Sequence, residues 1–121
     1  MWRLVVADAC QQRLDQLKRK NDQVVVALFS NLDDYLRALN GGLQPMQVKL
    51  GCLHPEKHHG LVAIDTKGAA TKLPETRLYV YPDVETRTLH LITLGGKNTQ
   101  QKDLKVSRKY VDCLREGARN G

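Results

Sequence analysis

The chain is short of several things, and each shortage removes a class of function. No apolar run in the 121 residues approaches the roughly 20 needed to cross a bilayer, so no membrane role is expected. The opening MWRLVVADACQQRLDQ turns polar after a very short apolar run, unlike a secretory leader. Cysteines are few, odd in number and scattered, at Cys10, Cys52 and Cys113. That excludes a disulfide framework and points to reduced thiols and a cytoplasmic location. Aromatic residues are only 5% of the chain, too few for a platform on which successive bases stack. No Walker-type phosphate loop, dinucleotide fingerprint or Gly-x-Ser-x-Gly elbow occurs, and no cofactor is expected. Cys52, His54, His58 and His59 are metal-ligating types, but they form one cluster with a single cysteine. Vicinal histidines on a strand point to opposite faces, so a solvated loop is expected there and not a metal site.

What is present is a hydrophobic fraction of 41%, enough for one compact core, so residues 1–121 are read as a single domain. The formal charge is +6 and the sequence pI about 9.4, which favours an anionic partner. The charge is also concentrated: from Lys97 to Arg119 there are seven basic residues against three acidic ones. A binding surface needs such concentration; an evenly solvated surface does not.

Periodicity divides the chain into elements. Trp2 to Ala7 is β-branched and unbroken by Gly or Pro, a strand at least partly buried. Asp8 then reads as the N-cap of a helix carrying Leu14 and Leu17. Asn21 and Asp22 interrupt it, and Val25, Leu28, Phe29, Leu32, Leu36 and Leu39 mark a second helix, antiparallel to the first, that ends at Asn40-Gly41-Gly42. Gln47 to Leu53 alternates and reads as a half-buried strand, His54 to Gly60 as a connection, and Leu61 to Asp65 as another short strand. Lys72 stands at the tip of the loop that follows. Thr76 to Tyr81 and Arg87 to Leu94, separated by a Pro82-Asp83 turn signal, form a hairpin. Arg77, Tyr79 and Tyr81 share one face of it, Leu78 and Val80 the other. If the aliphatic face packs on the helices, Arg77 is presented on an open face, where it pairs with Asp83 or Glu85 or binds an anion. Gly95-Gly96 ends the last strand, and Leu104 to Glu116 reads as a final basic helix. The expected class is α+β: a small twisted, mainly antiparallel sheet of about four strands on an N-terminal helical hairpin, with a C-terminal helix.

Three stretches, WRLVVADACQQRLDQL, RLYVY and LITLGGKNTQQKDLKVSRKYV, carry a resemblance to the RelE/ParE superfamily of bacterial type II toxins, including its HigB group. They cover the start and the last third of the chain, whereas Leu43 to Pro74 has no match. The resemblance implies a RelE-like fold and a toxin that cleaves mRNA, most often ribosome-bound, by attack of a ribose 2′-oxygen on the adjacent phosphorus. It also implies an acidic or amphipathic antitoxin partner. Arg77 and Lys97 then correspond to the cations on the scissile phosphate, with Lys102 in support. Proton transfer falls to His90, Asp103 or Tyr110. Lys72, Lys105, Arg108 and Lys109 would hold RNA. The superfamily also holds ParE-like toxins that bind DNA gyrase without cutting RNA, and an inactive relative that only binds RNA or protein is the third alternative.

Overall fold

The computed structural model describes residues 1–56 and 58–120, the side chains of Arg119 and Asn120 excepted. Lys57, in the expected loop, and the Arg119 side chain, counted with the basic tail, lie outside the described residues.

The expected α+β class is found, with five strands in place of about four: β1 (Arg3–Val6), β2 (Leu53–Pro55), β3 (Val62–Ile64), β4 (Thr76–Asp83) and β5 (Thr88–Gly96). They form one sheet in the order β1-β5-β4-β3-β2. Every pairing is antiparallel except that of β1 with β5. A parallel pair needs a crossover connection; here it includes α1 (Asp8–Lys20) and α2 (Asp22–Asn40). The break between those helices is Asn21 alone, at φ −157 and ψ 84. Helix α3 (Gln100–Asn120) closes the chain and is longer than its apolar periodicity implies at both ends.

The sheet is covered on both faces, unequally. Cys10 and Leu14 of α1 and Val24, Leu28, Leu32, Tyr35 and Leu39 of α2 meet Leu78, Val80, Leu89, Leu91 and Leu94 in the main core. Each large aliphatic side chain enclosed there contributes about 1.5–3 kcal/mol. The opposite face carries α3 over a core of Leu61, Ile92 and Val111, flanked by Tyr81 and Tyr110. Arg77 therefore does not lie on an open face, as the hairpin pattern suggests; a third helix packs there.

Other expectations shift by a few residues for identifiable reasons. Ala7, not Asp8, is the N-cap of α1, and Asp8 sits in the first turn, where its charge suits the helix dipole. Gln47 to Leu53 is not a strand: Pro45–Gln47 forms a 3-10 turn, closed by Gln44 N–H donating to Gln47 Oε1 at 2.8 Å and Gln47 N–H donating to Gln44 O at 2.9 Å. β2 begins only at Leu53 and takes in His54 and Pro55 of the expected connection. The alternation there registers burial, since Val48 and Cys52 are both in the core, without registering strand. Pro82 and Asp83 stay in β4, opposite Leu89 and Thr88. β3 stops at Val62, opposite Val80, so no neighbour on that side requires the amide that Pro82 lacks. The turn is instead at Val84 to Arg87, with Arg87 at φ 50. β1 is more exposed than its composition suggests, with Leu4 45% and Val5 40% accessible, because it lies at the sheet edge.

One ion pair fastens the two layers together. Asp103 of α3, 0% exposed, accepts from Arg13 Nη1 of α1 at 2.8 Å and from Thr99 Oγ1 at 2.8 Å. The same Arg13 nitrogen donates to Leu94 O at 2.7 Å and Thr93 Oγ1 at 3.0 Å. A Cβ on Gly95 would run into this carboxylate and Thr99 Oγ1. Removing one partner of a buried pair strands the other charge, which costs roughly 3–5 kcal/mol. Arg13→Ala is therefore expected to destabilise the fold by about 3 kcal/mol, and Gly95→Ala to destabilise it as well. Urea unfolding followed by circular dichroism measures both.

Candidate functional site

The hairpin register builds the first group of site residues. Thr76 pairs with Gly96 and Arg77 with Gly95, so Lys97, which opens the 3-10 turn Lys97–Thr99, leaves the sheet at the end where Arg77 stands. Arg77 does not reach Asp83 or Glu85. Its nearest acid is Glu75, with Nη2 3.7 Å from Oε1, and Gln100 Nε2 donates to that same oxygen at 3.3 Å. The guanidinium is 23% exposed, and its Nε is enclosed without a partner. Lys97, Lys102 and Lys72 are exposed. This end of the sheet thus sets Arg77 and Gln100 beside one half-exposed carboxylate.

Asp103 is close by in sequence, but its chemistry is already committed. Both oxygens are bonded within the α1–β5–α3 junction, and the side chain has no exposed surface. A substrate proton has no path to it while that junction is closed.

His90 and Tyr110 form a second group beneath the middle of α3. His90 Nδ1 lies 3.0 Å from Tyr110 Oη, the rings meeting edge to face with centroids 5.6 Å apart. Tyr81 flanks the imidazole at 6.2 Å. Burial lowers the His90 pKa from its ordinary 6.5, and Arg3 adds to the effect while Asp83 opposes it. Burial likewise raises that of Tyr110. Tyr81 is the partner of His90 across the hairpin, and four residues of strand rise separate it from Arg77, about 13 Å. A phosphate held by Arg77 and Lys97 is out of hydrogen-bond reach of His90. The structure therefore sets Arg77 and Lys97 at one end of the sheet, brings His90 and Tyr110 into contact, and keeps that contact about four residues of strand away from Arg77.

Helix α3 carries the remaining basic residues. Lys102, Lys105 and Lys109 are exposed, and their spacing of three and four sets them on one stripe roughly 10 Å long. Arg108 differs: it is half-buried, with its Nε enclosed and unpartnered. Ser107 Oγ and Tyr79 Oη are also enclosed without partners. Burial is the main cause that pushes the Tyr79 phenol up to about 12.

Two histidines of the histidine-rich stretch are engaged by carboxylates. His54 Nε2 is 2.6 Å from Asp65 Oδ2, and His59 Nε2 is 3.0 Å from Asp112 Oδ1 of α3. Among the described residues no three His, Cys, Asp or Glu side chains come together to hold a metal ion.

Two residues escaped sequence reasoning. Glu75 is a single acid before a strand, two residues from Arg77 and so on its side of the chain, and the side-chain contact shows that it stands beside Arg77. Arg13 looks like one more solvated charge on an amphipathic helix, and nothing local marks it as the partner of a residue 90 positions away.

The buried imidazole has a measurable consequence. With its folded pKa below the unfolded value of 6.5, His90 binds fewer protons folded than unfolded. Its contribution is fully present above pH 6.5 and is lost as pH falls toward the folded pKa. The urea midpoint should thus fall between pH 7.5 and pH 5, and His90→Gln should flatten that part of the profile. Compared with family models, curated proteins and solved structures, the chain finds no match in any of the three, so its functional reading rests on this geometry and on the sequence.

Proposed function

We propose that the chain is the toxin of a type II toxin–antitoxin pair, with a RelE-like fold, and that it cleaves mRNA. The observation that carries this reading is the β4–β5 register, which sets Arg77 and Lys97 at one sheet end with the lysine stripe of α3 leading away from it. The order of elements, a strand, two helices, a strand meander and a terminal helix, supports it as well.

In the reaction a ribose 2′-oxygen gives up its proton, bonds to the adjacent phosphorus and displaces the 5′-oxygen, which leaves with a proton. The phosphorus centre gains negative charge on the way. Positive groups held in place for that charge usually supply the largest share of catalysis, and Arg77 and Lys97 are suited to it. The carboxylate beside them is Glu75, a closer candidate proton acceptor than His90, Asp103 or Tyr110. Lys102, Lys105 and Lys109 would follow the RNA backbone and make binding fall with salt. An acidic antitoxin would be drawn to the same stripe.

Inducible expression with mapping of transcript ends tests the proposal. Wild type should generate new ends and arrest growth, and Arg77→Ala or Lys97→Ala should slow cleavage about 100–1,000-fold. The absence of new ends overturns the nuclease reading. Intact transcripts with damaged DNA would point to gyrase.

A further inference from the structure

The outer edge of the sheet is β1, and it is unguarded. Arg3 N–H donates to Arg87 O and Ala7 N–H to Leu91 O, both at 2.9 Å. In this parallel strand, then, the odd-numbered residues turn their backbone groups toward β5 and the even-numbered ones turn theirs outward. Trp2 N–H is met on that outer side by Asn40 Oδ1 at 2.8 Å. Leu4 and Val6 meet neither strand nor side chain there among the described residues. Soluble proteins blunt such edges with proline, lysine or a bulge; Arg3–Val6 has only Arg3. Leu4 and Val5 place apolar side chains on the two faces of this open edge.

We infer that β1 pairs antiparallel with β1 of a second copy of this chain, about a two-fold axis through Val5, so that the two sheets become one. The register follows from the backbone. Only even-numbered residues have outward groups to exchange, so Leu4 of one copy faces Val6 of the other in hydrogen-bonded pairs, and Val5 faces Val5 in a non-hydrogen-bonded pair on the axis. Centring the axis on Leu4 would oppose Trp2 to Val6, and Asn40 already holds the Trp2 amide. In the Val5 register every opposed side chain in the middle of the seam is apolar. At its ends Arg3 stands opposite Ala7, one residue from Asp8. Both charges are exposed and, among the described residues, in no ion pair, Arg3 Nη2 donating to the neutral Thr88 Oγ1 at 3.2 Å, so a cation stands near an anion at each end. An isologous contact of this kind closes on itself and does not propagate.

Sedimentation equilibrium and charge swapping at the axis test the inference. Wild type should sediment at twice 13.7 kDa, while Val5→Lys and Val5→Glu should each be monomeric, because each opposes like charges across the axis. Mixing the two variants should restore the dimer as a heterodimer. In a Cys113→Ser background, Val5→Cys should form an intermolecular disulfide, since a non-hydrogen-bonded pair has its Cα atoms about 4.5 Å apart, within disulfide range. A wild type that is monomeric at roughly 1 mM overturns the inference, even if the edge later accepts an extended peptide from another protein. So do dimers that persist in both charge variants, a mixture that stays monomeric, or a Val5→Cys chain that does not cross-link.

Discussion

The Arg13–Asp103 pair is the constraint on which the layered arrangement depends. One guanidinium nitrogen holds the carboxylate of α3, the carbonyl of Leu94 and the hydroxyl of Thr93, so α1, the end of β5 and the first turn of α3 are fixed relative to one another. Desolvating a carboxylate fully is expensive, and attraction in the interior offsets that cost only when the remaining lone pairs are also satisfied. Thr99 satisfies one, and Gly95 makes room by having no side chain. The pair contributes position more than net stability. By setting where α3 begins, it also sets where Lys102, Lys105 and Lys109 lie relative to Arg77 and Lys97.

The elements whose signal is local were legible from the sequence. The hairpin, the glycine pair that ends β5, the helix stop at Asn40-Gly41-Gly42 with Gly42 at φ 102, and the basic C-terminal helix each depend on residues next to one another. What was not legible depends on partners far apart. β1 reads as a buried strand because Leu-Val-Val is what buried strands contain; that it sits at an edge, parallel to β5, is decided by residues some 85 positions later. The run Leu89-His90-Leu91-Ile92-Thr93-Leu94 shows the same limit. Leu89, Leu91 and Leu94 all reach the main core, although a regular strand would send Leu94 to the other face. The register explains it: Tyr79 pairs with Thr93 and Val80 with Leu91, leaving Ile92 as the extra residue of a bulge. No glycine announces that bulge.

For the candidate site the division is similar. Arg77 and Lys97 could be named from sequence because each sits next to a recognisable strand end, and strand pairing then brings them to one place. His90, Asp103 and Tyr110 were named because their side chains can move protons, a property of type and not of place. Place assigns them differently. Asp103 is taken up in the junction, and His90 with Tyr110 lies about four residues of strand away from Arg77. Glu75, ordinary by type, has the position.

The two faces of the sheet also differ in how firmly they hold their helices. The face under α1 and α2 encloses most of the apolar side chains of the protein. The face under α3 encloses fewer, among them Leu61, Ala63, Tyr79, Ile92 and Val111, and unpartnered polar atoms lie on both sides: Tyr35 Oη in the main core, and those of Arg77, Tyr79, Ser107 and Arg108 near α3. Apolar burial is what keeps a helix on a sheet. Helix α3 is anchored at its first turn by Asp103 and along its middle by Val111 and Tyr110. Local opening free energies follow such differences in enclosed apolar contact. The helix that carries the exposed lysines is thus held over Arg77 and Tyr79 by one polar junction at its start and a small apolar core along its middle.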